Sequence, residues 1–215
     1  GFFDVEVIRK NGTSLPMEFC FTPVFGNEEI GGFVGVGRNV VERRRAEILQ
    51  DAVYRIAQAA DKAASMDELF ESVHKIIGTV MPARNFYIAL YDDKEDVLSF
   101  SYFVDEVDTL SSPGKPGKGL TEYVLRTGKS LLCSTAHMED LLNRGEAELV
   151  GAPSPIWLGV PLVVDRKTIG VMAVQHYSDP GAYGEREQQI LEYVSSQVAR
   201  SIERKRTEEA LRASE

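Results

Sequence analysis

The chain has 215 residues, 43% of them hydrophobic, enough for one large domain or a medium domain with a fragment, and for a core of ordinary size. Its net charge of -9 opposes the phosphate backbone, so a general nucleic-acid binder is excluded and no nucleic-acid partner is expected. Cys20 and Cys133 lie far apart without metal-ligand spacing, which argues against a disulfide framework or zinc site and fits a reducing, cytoplasmic setting.

In chain order, VEVIRK and SLPMEFCFTPVF alternate apolar and polar residues around Asn11-Gly12, a pair that tolerates the positive φ of a tight turn, so a hairpin is predicted there. A second turn is placed at Gly26 to Glu29, leading into IGGFVGVG. Its glycines do not follow the spacing of a dinucleotide loop and read as a crowded or twisted strand. From Asn39 the period becomes helical. Leu49, Val53, Ile56, Ala60 and Ala63 form one stripe on a helix of roughly 25 residues. Ser65 and Glu68 make a capping-box pattern before a second helix carrying Leu69, Val73, Ile76 and Val80, ended by Pro82.

Strands follow at NFYIALYDD and VLSFSYF, joined by a turn at Asp92 to Asp96. In the second, Leu98, Phe100 and Tyr102 are expected on one buried face. Short helices are predicted at Leu120 to Thr127, with Gly128 as a left-handed stop, and near Met138 to Arg144. PIWLGVPLVVD and KTIGVMAVQHY are two more strands meeting near Asp165 to Lys167. A long helix runs from Glu185 to at least Arg212, striped with Leu191, Val194, Val198 and Ile202.

NFYIALY and the last two strands are apolar on both faces, so both faces of the sheet must be covered. The terminal helices can cover one. The segment Val104 to Gly151 is the candidate for the other, and such a loop-rich layer is well placed to enclose a small molecule. No apolar run reaches the roughly 18 residues of a membrane span, and GFFDVEVIRK lacks the order of a signal peptide, so no direct membrane contact is expected. The start within a strand and the end within a helical pattern suggest a segment of a longer parent.

Catalytic and metal signals are weak. In GKPGKG, Lys118 precedes Gly119 and not the Ser or Thr of a phosphate loop. Cys133 could be a nucleophile with His137 four residues on, but a buried, inert thiol fits its context better. His74, in ESVHKIIG, lacks the surroundings of a phosphoacceptor and reads as a helix-surface residue. The carboxylates Asp92, Asp93, Glu95, Asp96, Asp105, Glu106 and Asp108 read as solvated turns. No catalytic or metal-binding residue is assigned, and this segment is expected not to be an enzyme.

Two resemblances add to these readings. RKNGTSLPMEFCFTPVFGNEEIGGFVGVGRNVVERRRAE resembles the C-terminal half of a PAS domain with its helical exit, with Asn39, Val40 and Val41 where the family has a D-I-T-like connector. Asn39 can still cap the helix. NFYIALYDD, GKGLTEYVLRTGKSLL, WLGVPLVVDRKTIGVMAV and EREQQILEYVSSQVARSIERKR resemble a GAF domain. That resemblance implies an α+β fold with an antiparallel sheet, helices on one face, a small-molecule pocket on the other, and regulation of attached output domains. The marks of bilin-binding, cyclic-nucleotide-binding and sulfoxide-reducing members are absent, so no cofactor is assigned.

The expected organisation is a PAS-like hairpin fragment over 1–38, a connector helix over 39–64, a GAF domain over 65–204 and an output helix over 205–215. VERRRAE (Val41 to Glu47) and IERKRTE (Ile202 to Glu208) would be exit helices of successive modules, with coiled-coil-like spacing suited to a homodimer. The ligand is expected to meet Phe100, Tyr102, Leu120, Tyr123, Cys133, His137, Trp157 and Met172. A sensory module of a bacterial signalling protein follows, with a sensor histidine kinase as first-choice parent and a diguanylate cyclase or transcription regulator next. A ligand-free dimerisation module and a GAF-fold thiol reductase are the alternatives.

Overall fold

The computed structural model describes residues 1–26 and 29–214 of the chain, which divides into two compact units, Gly1–Gln50 and Asp51–Glu215.

The first unit is a three-stranded antiparallel sheet of β1 (Phe2–Ile8), β2 (Ser14–Gly26) and β3 (Glu29–Asn39), in that order. The hairpin sits where Asn11-Gly12 places it. Gly12 takes φ +82 and the Asn11 carboxamide accepts from the Thr13 amide at 3.1 Å. The turn expected at Gly26 to Glu29 includes residues 27 and 28, which lie outside the described residues. The β3 glycines make room for aromatic rings: a Cβ on Gly35 or Gly37 would come within 2.7 Å of Phe21 or Phe19, whose rings stack 5.9 Å apart. Asn39 accepts from the Val41 amide at 2.9 Å, capping the start of α1 (Val41–Lys62).

The second unit holds a five-stranded sheet in the order β5-β4-β8-β7-β6, every neighbouring pair antiparallel, built from β4 (Asn85–Asp92), β5 (Val97–Val104), β6 (Leu131–Ser134), β7 (Ile156–Val164) and β8 (Lys167–His176). Asp165 and Arg166 both take positive φ, 49 and 68, which closes the two-residue β7-β8 turn. Strand β6 has only four residues, too short for its alternation to show in the sequence.

One face of this sheet carries α2 (Met66–Ile77) and α5 (Glu185–Ser214), with α5 resting mainly on β7 through Leu191, Val194, Val198 and Ile202, all fully buried. Ser65 caps α2 by accepting from the Glu68 amide at 3.3 Å, while the Glu68 carboxylate reaches back to the Ala64 amide at 2.7 Å. The helix ends at Ile77 with Gly78 as its cap, before Pro82. In α1, Ala52, Ile56 and Ala60 are buried, whereas Leu49 and Val53 of the expected stripe are half-buried. The buried Lys205 of α5 donates to the Ala63 carbonyl at 2.5 Å, and Arg204 pairs with Asp61 at 2.6 Å, fastening α5 to the end of α1.

The other face lies under α3 (Leu120–Thr127), α4 (Thr135–Asn143) and the loops between Val104 and Ile156. Gly128 terminates α3 at φ +62, with its amide on the Val124 carbonyl. Helix α4 starts three residues earlier than the Met138 expected from the sequence, because Ser134 caps it by accepting from the His137 amide at 3.3 Å.

Candidate functional site

The covered face encloses a cavity of about 920 Å³. Its floor is aromatic. Tyr87 from β4, Phe100 and Phe103 from β5 and Trp157 from β7 all line it, and Phe100 meets Phe103 at 87° and Tyr87 at 62°. Trp157 lies across its own strand: a Cβ on Gly159 would fall 2.1 Å from the indole ring, so only glycine lets the ring lie there. The indole N–H donates to the Tyr87 hydroxyl at 3.0 Å, and that hydroxyl pairs with Thr121 Oγ1 at 2.7 Å. Three elements, β4, β7 and α3, therefore meet at one phenol. Burial first, and neighbouring negative charge with it, raises the Tyr87 pKa against the pull of its two hydrogen bonds, so the phenol stays neutral.

The roof is fastened by a polar latch. Asp105 accepts from Gln175 Nε2 at 2.6 Å and from the Tyr177 hydroxyl at 2.8 Å, as well as from the amides of Val107 and Asp108. Tyr177 also reaches Asp108 at 3.1 Å, and Asp108 holds the Ala152 amide at 2.8 Å. Gly151, at φ +78, lies so close to Asp108 that a Cβ would sit 2.7 Å from its carboxylate. The loop at Gly114 pairs with Leu98 through two backbone hydrogen bonds of 2.8 and 3.1 Å, and the Glu148 amide donates to the Lys118 carbonyl at 2.7 Å. Burial alone would raise the Asp105 pKa, but the hydrogen bonds from Gln175, the two amides and Tyr177 outweigh it and hold the carboxyl below its usual range.

Of the eight residues expected at a ligand site, Phe100, Leu120, Cys133 and Trp157 line the cavity. Tyr123 packs on the same core cluster without lining the cavity, and the Arg126 guanidinium lies over its ring at 5.6 Å. His137 turns away: its Nδ1 lies 3.3 Å from the Leu132 carbonyl of β6. Tyr102 and Met172 are on the opposite, helix-bearing face. Met172 and Tyr102 both pair across the sheet with Ile88, on the side of Phe86 and Phe70.

The cause for Tyr102 is a bulge. The β4-β5 register slips between Ile88 and Ala89, so Ala89 faces Phe100 while Ile88 faces Tyr102, and the alternation begun at Leu98 reverses. Tyr102 instead meets His74, which is not a free surface residue. His74 stacks on Phe86 at 4.8 Å, donates from Nε2 to the Ala83 carbonyl at 2.6 Å, and pairs through Nδ1 with the Tyr102 hydroxyl at 2.9 Å.

Tyr87, Phe103, Thr121, Gln175 and Tyr177 are cavity residues that the sequence did not single out, and Asp108 is one it had read only as a turn. Gln175 carried a signal: it is a long polar side chain in an otherwise apolar strand. Asp105 does hold a turn, through the Val107 and Asp108 amides, but neither it nor Asp108 is the solvated turn residue expected: both are half-buried, and both anchor the roof through partners distant in sequence. Cys133 is buried, and burial pushes its thiol up to about 11. Among the described residues, no group of three or more His, Cys, Asp or Glu side chains is placed to hold a metal ion, and no helix is long and apolar enough to cross a membrane.

Such an arrangement defines an α+β domain in which helices back one face of an antiparallel sheet and a roofed cavity occupies the other. The family model of the GAF domain matches residues 63–203, and the chain belongs to that family. Similar solved structures include the GAF domain of a phosphoenolpyruvate-protein phosphotransferase from Coxiella burnetii, at 15% identity and TM-score 0.62 over 77% of this chain and 98% of that one. A free methionine-R-sulfoxide reductase from Neisseria meningitidis, in complex with its substrate, aligns at 15% identity and TM-score 0.57 over 76% of this chain and 93% of that one. A GAF domain from A. aeolicus in an inactive state aligns at 14% identity and TM-score 0.56 over 74% and 98%. No curated protein matches the chain.

Proposed function

We infer that the second unit is a sensory or regulatory module that binds a small molecule in the cavity and transmits its occupancy through the helices on the far side of the sheet. One observation carries this: a cavity of about 920 Å³ lies on one face of the strands whose other face supports α5. That volume is within the range of small-molecule sites, and its largely apolar floor with a few placed polar groups suits them.

Strand β7 links the two faces, since Trp157 lines the cavity while Leu158, next to it, and Val160, two residues further on, point to the opposite side and are fully buried. A ligand that binds one packing of Trp157 more tightly shifts the population of states beneath α5. A differential of a few kcal/mol suffices to reverse a modest two-state bias. In this reading α5 continues toward an output domain, a sensor histidine kinase first or a diguanylate cyclase or transcription regulator next, in a cytoplasmic homodimer joined through its connector helices. The three-stranded sheet running into a helix with Asn39 at its start supports a PAS-type first module over 1–38, followed by a connector over 39–64, a GAF module over 65–204 and an output helix over 205–215.

The segment itself is read as non-catalytic. A thiol reductase needs a thiolate at working pH, and burial keeps Cys133 protonated. A metabolite panel screened by melting temperature tests ligand binding. A compound raising it in the native protein but not in Phe100→Ala supports the sensor; no shift with any compound favours a ligand-free dimerisation module.

A further inference from the structure

We propose that the cavity selects an organic cation, a quaternary ammonium or a comparable alkylated amine, over anionic and neutral molecules of the same shape. This deepens the small-molecule reading above and rests on it. Two independent features point the same way.

The first is charge. Among the described residues, the cavity is lined by Asp108, Glu122, Glu139 and Glu148 against a single lining cation, Lys115. Lys118 lies 3.6 Å from Glu148 and offsets it, which leaves three carboxylates facing one ammonium. The partners that occupy the other carboxylates are neutral donors and do not cancel their charge: Asp108 holds the Tyr177 hydroxyl and the Ala152 amide, and Glu122 holds the Gly117 amide at 3.2 Å. Among the described residues, no arginine lines the cavity. A phosphate- or carboxylate-bearing ligand would enter a negative field without a matching fork of donors, so anionic nucleotides and acids are disfavoured.

The second is the floor. Tyr87, Phe100, Phe103 and Trp157 supply four π-systems; Tyr87 and Phe103 stack at 25°, and Phe100 stands steeply to both, at 62° and 87°, so that the rings form adjoining walls. Aromatic walls carry a negative quadrupole toward a cation, and indole carries the strongest. A polar but uncharged ligand would need fixed donors and acceptors on this floor. Here the polar atoms of Tyr87, Thr121 and the Trp157 indole are already satisfied by one another. What the floor still offers is its π-surface, which suits a cation that makes no hydrogen bonds.

The test uses one shape in three charge states. Choline, its neutral isostere 3,3-dimethylbutan-1-ol and the anion 3,3-dimethylbutanoate are titrated against the whole chain while the emission of Trp157, the sole tryptophan, is followed. Choline is expected to alter that emission with a dissociation constant about ten-fold below that of the alcohol, with no response to the acid. The Glu139→Gln variant, an exposed change that leaves the floor intact, should weaken choline severalfold and leave the alcohol unaffected. Equal or tighter binding of the alcohol or the acid overturns the cation preference while upholding a small-molecule site. Silence of all three overturns the cation preference too, and the metabolite panel then decides the wider reading separately.

Discussion

Tyr87→Phe removes one oxygen and nothing else, which makes it a direct test of how the cavity floor is held. The lost hydroxyl pairs with Thr121 Oγ1 at 2.7 Å and receives the Trp157 indole N–H at 3.0 Å, both in buried surroundings. The Thr121 bond is worth about 1 kcal/mol net, and stranding the buried indole donor costs about 1 to 3 kcal/mol, so the variant should lose about 2 to 4 kcal/mol. For a unit the size of Asp51–Glu215 this lowers Tm by roughly 5 to 15 °C. Trp157 is the sole tryptophan, so thermal unfolding followed by its emission reports on this unit alone. A second variant, Trp157→Phe, removes the donor, and in that background Tyr87→Phe should cost only about 1 kcal/mol. If Tyr87→Phe melts within about 1 °C of the native chain with the same emission maximum, the phenol does not join β4, β7 and α3 as described.

Further outcomes follow from the same geometry. Gly170→Ala would put a Cβ 2.3 Å from the Ala89 carbonyl oxygen, a backbone atom, and should cost more than the usual ~1 to 3 kcal/mol of overpacking by chemical denaturation; a smaller loss would mean that β8 can move from β4 freely. Gly159→Ala would put its Cβ nearest the Trp157 ring, 2.1 Å away, so its main effect should be a shifted Trp157 emission with ligand affinity lost, and unchanged emission would contradict the ring's placement. Tyr177→Phe removes the donor shared by Asp105 and Asp108, at about 1.5 to 3 kcal/mol of local stability, and amide exchange at residues 105–119 should accelerate about ten-fold or more while α5 stays protected. The Asp105 carboxyl is held below its usual range, so its contribution is complete above the unfolded value of about 3.9 and is lost as pH falls through the lower folded value. Melting temperature should therefore drop less steeply below about pH 4 in Asp105→Asn than in the native chain, and parallel curves would refute that role.

The sheet and its helices were legible because their signals are local. Asn11-Gly12, Ser65 with Glu68 and the Gly128 stop each encode a turn or cap within a few residues, and each forms as predicted. Apolar runs on both faces of β4, β7 and β8 foretold two covers. The cavity was only half legible, since its composition depends on register. Leu98, Phe100 and Tyr102 alternate cleanly in sequence, and nothing in them marks the slip opposite Ile88 that sends Tyr102 to the helix side. Met172 failed for a related reason: in a strand apolar on both faces, alternation cannot say which face is which. Asp105, Asp108, Gln175 and Tyr177 are brought together across about 70 residues of sequence, beyond the reach of any local pattern.

The central claim is that one sheet couples the cavity to α5. Hydrogen exchange on the native chain, with and without the panel compound that most raises its melting temperature, tests this in a single data set. Slower exchange both at residues 105–119 and in α5 around Leu191 to Ile202 is the predicted result. Protection that stops at the roof, with α5 unchanged, would leave a binding site but contradict a module that signals through that helix.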